Sequence, residues 1–174
     1  MLGRAAGLRV FSACDFAGEP PTLRGIGRLL RRCVASLRPE YISVSTPHDF
    51  EYRPCGGVSG ADSVLSAAQT AALDALLTPE APPSSADVMN LLLLPLCHEE
   101  KLPLLMRMGT CRGVNAPLGL AGDGVGKARL EALAALCSAH PSIKFLATVL
   151  GMSEQHEAAV LASRFRNLHL WGCW

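Results

Sequence analysis

The sequence predicts an α/β fold built on a parallel sheet, and three observations carry this prediction. Five short apolar runs alternate with segments that have the residue spacing of amphipathic helices. The connections between these segments lack the short turn signals of β-hairpins. Residues 143–174 contain a strand, a helix and a second strand in succession, which is the pattern of a βαβ unit with parallel strands.

The predicted strands are short runs of apolar, β-branched and aromatic residues, as is typical of strands that are buried on both faces. They are Leu8–Cys14, Tyr41–Thr46, Pro103–Gly109, Lys144–Leu150 and Leu168–Trp174. The last of them ends the sequence, so it has no following partner strand. Such an uncovered apolar edge predicts poor solubility.

The predicted helices begin at capping residues and mostly end near proline. They run from Thr22 to Leu37, over Ala61–Leu77, from Ser85 to about Glu100, over Lys127–Ala139, and from Glu154 after the capping residue Ser153. Pro95 lies inside the third helix and predicts a kink, because proline cannot donate a backbone hydrogen bond. The segment Thr78–Ser85 predicts a flexible insertion within one domain that spans residues 1–174.

Apolar spacing assigns an inward face to the first and the last of these helices. In the first helix this face holds Leu23, Ile26, Leu29, Leu30, Cys33, Val34 and Leu37. In the last helix it holds Ala159, Val160, Ala162 and Phe165, and Asn167 is the predicted stop. Glu154 is expected at the first turn, where a carboxylate suits the positive end of the helix dipole.

The composition indicates which binding partners and which cellular compartment are expected. A net charge of +1 argues against binding nucleic acid by phosphate neutralisation, and no apolar run is long enough to span a membrane. Seven cysteines without a CxxC motif predict reduced thiols, most of them in the core, in a cytoplasmic protein. The N-terminal segment MLGRAAGLRVFSA loosely resembles an organelle transit peptide, but a first strand is the favoured interpretation.

In a parallel α/β fold the functional site lies at the carboxyl ends of the strands. The richest loop at such an end is Thr110–Gly126, where Arg112 and Asn115 directly follow a strand. The guanidinium of Arg112 suits a carboxylate or phosphate ligand. An equally weighted alternative is that the loop is a cover in which Arg112 pairs with Asp123. The glycines of this loop fit neither a Walker motif nor the GxGxxG spacing.

Histidine and cysteine offer few further candidates. His48, beside Asp49 at a strand end, is a candidate ligand or catalytic residue. The sequence contains neither HxH nor HExxH, and Cys173 has no visible base partner, so a buried thiol is the favoured interpretation of that residue. No catalytic residue is assigned from the sequence.

Three segments carry a family resemblance: YISVSTPHDF, MGTCRGVNAPLGLAGDGVGKA and KFLATVLGMSEQHEAAVLASRFRNLHLWGCW. Together they resemble the uronate isomerase (glucuronate isomerase) family of the amidohydrolase superfamily. The resemblance implies an incomplete (β/α)8 TIM barrel and an aldose–ketose isomerisation of D-glucuronate or D-galacturonate in glucuronate catabolism. It also implies a divalent metal such as Zn²⁺. By this resemblance Arg112 matches a substrate-binding arginine and Trp174 one of two tryptophans that line the pocket, and we add His48 and Asn115 as candidate substrate-binding residues.

The chain also departs from the family pattern. The HxH metal pair is missing, the Asp-x-Arg motif would lie beyond Trp174, and Arg107 stands where bacterial members have histidine. We therefore expect the metal ligands to be absent and the isolated chain to be inactive. Two alternatives stay open: a non-catalytic α/β module that binds an anionic sugar or a partner, and a metal-dependent hydrolase of the same superfamily. Homo-oligomer formation is also left open.

Overall fold

The structure is a computed structural model that describes residue 18 and residues 20–54, 65–78 and 82–172. The predicted first strand Leu8–Cys14, the amino-terminal part of the predicted helix Ala61–Leu77, part of the predicted insertion, and Cys173 and Trp174 lie outside these residues. The chain divides into two compact units, Met1–Pro39 with Cys55–Glu100 and Glu40–Pro54 with Lys101–Trp174. They are described separately below. No helix in the described part of the chain is long and apolar enough to cross a membrane.

The first unit is helical in its described part. It contains α1 (Leu23–Leu37), α2 (Ala67–Asp74), α3 (Ser85–Asp87), a π-helical segment (Val88–Leu93) and α4 (Leu94–Glu100). The Thr22 hydroxyl caps α1 as predicted, accepting a hydrogen bond of 3.0 Å from the Gly25 N–H. A reciprocal capping box of Ser66 and Gln69 begins α2.

The predicted apolar face of α1 is only partly correct. Leu23 is buried in a cluster that its unit forms around Leu73, Leu77, Leu91 and Leu92. The carboxyl-terminal half of the helix leaves this cluster, so that Cys33 is exposed and Leu37 is 76% exposed. The apolar spacing of the sequence therefore continues for about two turns beyond the point where the helix still has a core to pack against.

Pro95 does not end the helical segment that contains it. The backbone changes to π-helical hydrogen bonding over Val88–Leu93, where the Leu94 N–H donates to the Met89 carbonyl, and α4 continues through the proline. A π segment next to proline is consistent with the predicted disturbance, because the missing N–H interrupts the regular ladder.

The second unit contains a five-stranded sheet. Its strands are β1 (Ile42–Pro47), β2 (Leu104–Cys111), β3 (Gly124–Val125), β4 (Phe145–Val149) and β5 (Leu168–Leu170). β1, β2, β4 and β5 lie side by side in chain order and pair in parallel. The predicted α/β class with a parallel sheet is thus confirmed. The two-residue strand β3 pairs antiparallel with the end of β2, so the expectation of a sheet without any antiparallel connection is wrong at this point.

The helices α5 (Leu130–Ala139) and α6 (Gln155–Ala162) connect β2 to β4 and β4 to β5. Both connections step the same way across the sheet. Because crossovers between parallel strands are almost always right-handed, this order puts both helices on one face. Strand alternation gives this face the apolar side chains Met106, Met108, Phe145, Ala147 and Val149, all of them buried.

The predicted inward face of α6 is wrong at two of its four residues, while Ala162 and Phe165 are half-buried. Ala159 and Val160 are exposed, whereas Ala158 is buried. The reason is Glu154, which is 3% exposed and precedes Ala158 by one helical turn. The helix turns the side of Glu154 inward, whereas the sequence placed this carboxylate in the first turn for its interaction with the helix dipole alone.

Candidate functional site

The carboxyl edge of the sheet is shaped by Gly109. Its φ of +100° is a conformation that favours glycine, and the register between β1 and β2 shifts at this point. The Gly109 carbonyl accepts a 2.8 Å hydrogen bond from the Gly126 N–H. This bond holds the end of the 110–126 loop against β2, and the adjacent residues Gly124–Val125 form β3.

His48 lies at this edge, where the sequence places it. Its backbone N–H donates to the Thr110 carbonyl at 3.1 Å, and its ring packs against the backbone of Gly126. Among the described residues, three buried polar atoms at the ends of β1 and β2 lack a hydrogen-bond partner: His48 Nδ1, Thr46 Oγ1 and Thr110 Oγ1. Buried polar groups are nearly always paired, so these atoms mark the edge as a place where a polar ligand would be stabilised.

Arg112 forms the ion pair with Asp123 that was left open as an alternative. Its Nη1 donates to Asp123 Oδ2, and the Gly113 N–H donates to the other carboxylate oxygen at 3.0 Å. The Gly113 hydrogen bond, together with the Arg112 side chain, holds the pKa of Asp123 below its usual range. Because a guanidinium carries five N–H donors and this side chain is partly exposed, the pair leaves Arg112 able to contact a ligand.

The remaining predicted substrate-binding residues differ in their position at the edge. Asn115 is exposed and uses its backbone, donating to the Gly122 carbonyl at 2.8 Å, which closes the loop. His48 and Arg112 end neighbouring strands at the same edge, because Pro47 pairs with Thr110. Trp174 lies outside the described residues. The substrate-binding roles of all four residues stay predictions.

Glu154 is a buried carboxylate that the sequence interpretation missed at the carboxyl end of β4. It accepts a hydrogen bond from the Ser153 hydroxyl and a long one of 3.5 Å from the Ala128 N–H. Gly151 packs against it so closely that an added β-carbon would lie 2.8 Å from the carboxylate carbon. The only available sequence signal was the glycine three residues before the acid, which is too common to be diagnostic. Glu154 thus connects the end of β4 to the segment that leads into α5.

A groove of about 750 Å³ lies beside this edge, lined by the residues that follow β1 and by the beginning of α5. Its charged side chains have both signs. Glu51 pairs with Arg53 at 2.9 Å and also with Arg129. These partners hold the pKa of Glu51 below its usual range, the hydrogen bond from Arg53 first among them. The Glu51 charge in the groove wall is therefore neutralised by its two arginine neighbours.

The described residues do not fit a metal centre. Within residues 20–54, 65–78 and 82–172, no group of three or more histidine, cysteine, aspartate or glutamate side chains is placed to hold a metal ion. Four cysteines in these ranges are free thiols, and two of them, Cys97 and Cys137, are buried. His48, Arg112 and the strand ends supply hydrogen-bonding groups and charge at this edge.

A parallel sheet with polar residues at its carboxyl edge defines this unit as an α/β module with a candidate small-molecule site. The chain is similar to the crystal structure of a uronate isomerase from Bacillus halodurans C-125, with a TM-score of 0.64 and 28% sequence identity. The similarity covers 87% of this chain but only 30% of that one. No family model matches the sequence. No curated protein matches it either.

Proposed function

We propose that this chain is related to uronate isomerases and binds a sugar acid such as D-glucuronate or D-galacturonate at the carboxyl edge of its sheet. The observation that carries the proposal is the similarity to a uronate isomerase structure over 87% of the chain. We also propose that the sheet has the arrangement of part of a (β/α)8 barrel. Two features support this: the strands follow chain order, and both crossovers place their helices on one face.

The proposed site offers a positive charge for the carboxylate of a uronate and hydrogen-bonding groups for its hydroxyls. A uronate carries a carboxylate and several hydroxyl groups. The Arg112 guanidinium suits the carboxylate, and the unpartnered atoms His48 Nδ1, Thr46 Oγ1 and Thr110 Oγ1 suit hydroxyls. In the related isomerases, a proton moves between C2 and C1 of the sugar. His48 is the described residue at this edge with an imidazole side chain, the kind of group that most often transfers protons in enzymes.

We do not expect this chain alone to isomerise a sugar acid. Because the described residues group no three metal ligands, a metal-dependent proton transfer has no support in them. We therefore propose that the chain binds sugar acids without converting them.

Calorimetric titration with D-glucuronate, D-galacturonate and D-glucose tests the binding. We expect both uronates to bind and neutral glucose to bind at least tenfold more weakly, since a charge-assisted pair is worth roughly 1.5–3 kcal/mol. Arg112→Gln is expected to weaken uronate binding. The matched control is Arg166→Gln, which removes an exposed arginine just before β5, at the opposite end of the strands. Equal affinity for glucose and glucuronate, or equal effects of the two substitutions, would contradict the proposal.

A second measurement addresses turnover. The protein is incubated with D-glucuronate and Zn²⁺, and the keto-uronate product is followed by chromatography. We expect binding without product. Product formation at the rate of a complete uronate isomerase would show that the chain assembles a full catalytic centre and would overturn the non-catalytic proposal.

A further inference from the structure

The buried carboxylate of Glu154 lies at the carboxyl edge of the sheet, and the proposed sugar-acid binding does not use it. The residue is 3% exposed, and its two oxygens accept hydrogen bonds from the Ser153 hydroxyl and from the Ala128 N–H. Removing a carboxylate from water costs free energy unless such bonds replace its hydration. Ala128 precedes Glu154 by 26 positions, so this bond joins two separate parts of the chain.

Gly151 limits the directions in which this carboxylate can point. The Glu154 N–H donates to the Gly151 carbonyl at 3.3 Å, within the turn that leads from β4 into α6. A β-carbon added at Gly151 would lie 2.8 Å from the carboxylate carbon and 2.9 Å from Oε1, closer than side chains approach each other. The carboxylate therefore packs directly on the Gly151 backbone and has no room to move toward the end of β4.

The Ala128 N–H belongs to the segment that contacts the His48 ring. Ala128 is 4% exposed and follows Gly126 by two residues. Gly126 packs against the imidazole of His48 and donates its N–H to the Gly109 carbonyl at 2.8 Å. Because successive Cα atoms are about 3.8 Å apart, a displacement at Ala128 reaches Gly126 within two peptide units. The segment is thus held by β2 at Gly126 and by the turn after β4 at Ala128.

We propose that Glu154 is a positioning residue for His48: its carboxylate holds residues 126–128 and thereby sets the place of the imidazole at the candidate site. The Ser153 hydroxyl orients the carboxylate by donating to Oε1, while Oε2 accepts from Ala128. The expected effect on ligand affinity rests on the proposed sugar-acid binding, whereas the position of His48 does not depend on a ligand.

Three substitutions separate the reach of the Glu154 side chain from its charge. The bond to Ala128 is 3.5 Å long, at the upper limit for a hydrogen bond, so a shorter side chain cannot form it. Glu154→Asp therefore breaks the bond and keeps the charge. Glu154→Gln keeps an acceptor oxygen at the same reach and removes the charge. Glu154→Ala removes both.

The position of His48 is measured by the Hε1–Cε1 signal of its imidazole in a proton–carbon NMR spectrum, which is assigned by its loss in His48→Gln. We expect this signal to move in Glu154→Asp and Glu154→Ala and to stay near its wild-type position in Glu154→Gln. The matched control is Glu40→Ala, which removes an exposed glutamate before β1, at the amino end of the strands, and should leave the signal unchanged. Circular dichroism and urea unfolding establish that each variant is folded.

Calorimetric titration with D-glucuronate measures the consequence for binding. We expect the affinity to fall about two- to tenfold in Glu154→Asp and Glu154→Ala, as for the loss of one hydrogen bond. Glu154→Gln should bind within about twofold of wild type, because its amide oxygen still accepts from Ala128.

Gly151→Ala tests the same contact from the other side. Its added methyl group displaces the carboxylate, so the His48 signal should move. In the double variant Gly151→Ala/Glu154→Ala there is no carboxylate to displace, and the signal should coincide with that of Glu154→Ala. Additive movements of the signal would contradict the proposed link.

If folded Glu154→Asp leaves the His48 signal in place, the positioning role is wrong whatever the affinity for D-glucuronate. If the signal moves as expected and the wild type binds no D-glucuronate, the positioning role stands and the proposed sugar-acid binding is wrong. If Glu154→Ala does not fold, Glu154→Asp and Gly151→Ala decide the matter by the same signal.

Discussion

The imidazole ring of His48 lies directly against the backbone of Gly126, which joins the carboxyl end of β1 to the segment that enters α5. A β-carbon added at Gly126 would lie 2.6 Å from His48 Cβ, well inside the contact limit. Gly126 also donates its N–H to the Gly109 carbonyl at 2.8 Å. This contact therefore sets the position of His48 at the candidate site.

Gly126→Ala is expected to lower the free energy of unfolding by about 1–3 kcal/mol, because overpacking at a close backbone approach forces a shift. Urea unfolding measures it. The neighbouring Val125→Ala, at a side chain that is 64% exposed, serves as the control and should change stability by less than about 0.5 kcal/mol. Adding His48→Ala to Gly126→Ala should recover part of the loss, and strict additivity of the two substitutions would contradict the contact.

The stability that Asp123 contributes through the 110–126 loop depends on pH. The Gly113 hydrogen bond and the Arg112 pair lower its pKa in the folded state. A carboxyl with a lowered folded pKa stabilises the fold above its unfolded pKa of about 4, and this contribution is lost as the pH falls through the folded value.

Asp123→Asn is thus expected to lower the melting temperature at pH 7, and the difference from wild type should shrink below about pH 4. Thermal unfolding between pH 3 and pH 7 measures this, with Glu131→Gln, at an exposed position of α5, as the control. A difference that stays constant over the whole range would show that the charge of Asp123 contributes nothing.

The parts of the fold that local chemistry determines could be predicted from the sequence. The Thr22 cap and the apolar runs of β2 and β4 depend on residues that are neighbours in the chain, and they lie within one or two residues of their predicted positions. The pairing of β3 could not be predicted, because a strand of two residues carries no periodicity. It depends on the positive φ of Gly109, 15 residues before Gly124.

Some residues of the candidate site could likewise be predicted from local sequence, and others could not. The rule that sites lie at strand ends locates His48 and Arg112, since it needs only the strand boundaries. The exposure of Arg107 in the otherwise buried strand β2 depends on the face from which it projects, and a shift of one residue in the register with β4 would move it to the apolar face. The sequence placed Glu154 in the first turn of the last helix but could not reveal its burial, which depends on contacts with Gly151 and Ala128 in the folded chain.

Cys97 and Cys137 are buried, and the reactivity of their thiols therefore measures how closely the side chains around them pack. Burial raises the pKa of Cys97 to about 12 and that of Cys137 to about 12. At pH 8 only about one thiol in ten thousand would then be ionised, and alkylation requires the thiolate.

We expect iodoacetamide at pH 8 to label the exposed Cys33 quickly and to leave Cys97 and Cys137 unmodified until denaturant is added. Mass spectrometry of the digested protein assigns each label to its residue, and Cys33→Ser identifies the fast site. Rapid native-state labelling of Cys97 or Cys137 would contradict the buried environment of that residue.

Asn167 links the turn before β4 to the start of β5. Its Nδ2 lies 3.1 Å from the Cys137 carbonyl, 3.1 Å from the His140 carbonyl and 3.2 Å from the Ile143 carbonyl. Its own carbonyl accepts from the Phe145 N–H at 2.7 Å. The sequence suggested Asn167 as a helix stop, but α6 ends at Ala162, and the side chain instead contacts carbonyls in the last turn of α5 and in the segment after it.

Asn167→Ala is expected to lower the free energy of unfolding by about 1–3 kcal/mol, because it leaves partly buried carbonyls without their donor. Asn167→Asp should lower it at least as much at pH 7, since a carboxylate would face three carbonyl oxygens and has no hydrogen to donate. Asn115→Ala removes an exposed amide from the 110–126 loop and is the matched control, with an expected change below about 0.5 kcal/mol. If urea unfolding gave Asn167→Asp the stability of wild type, the donor role of Asn167 would be wrong.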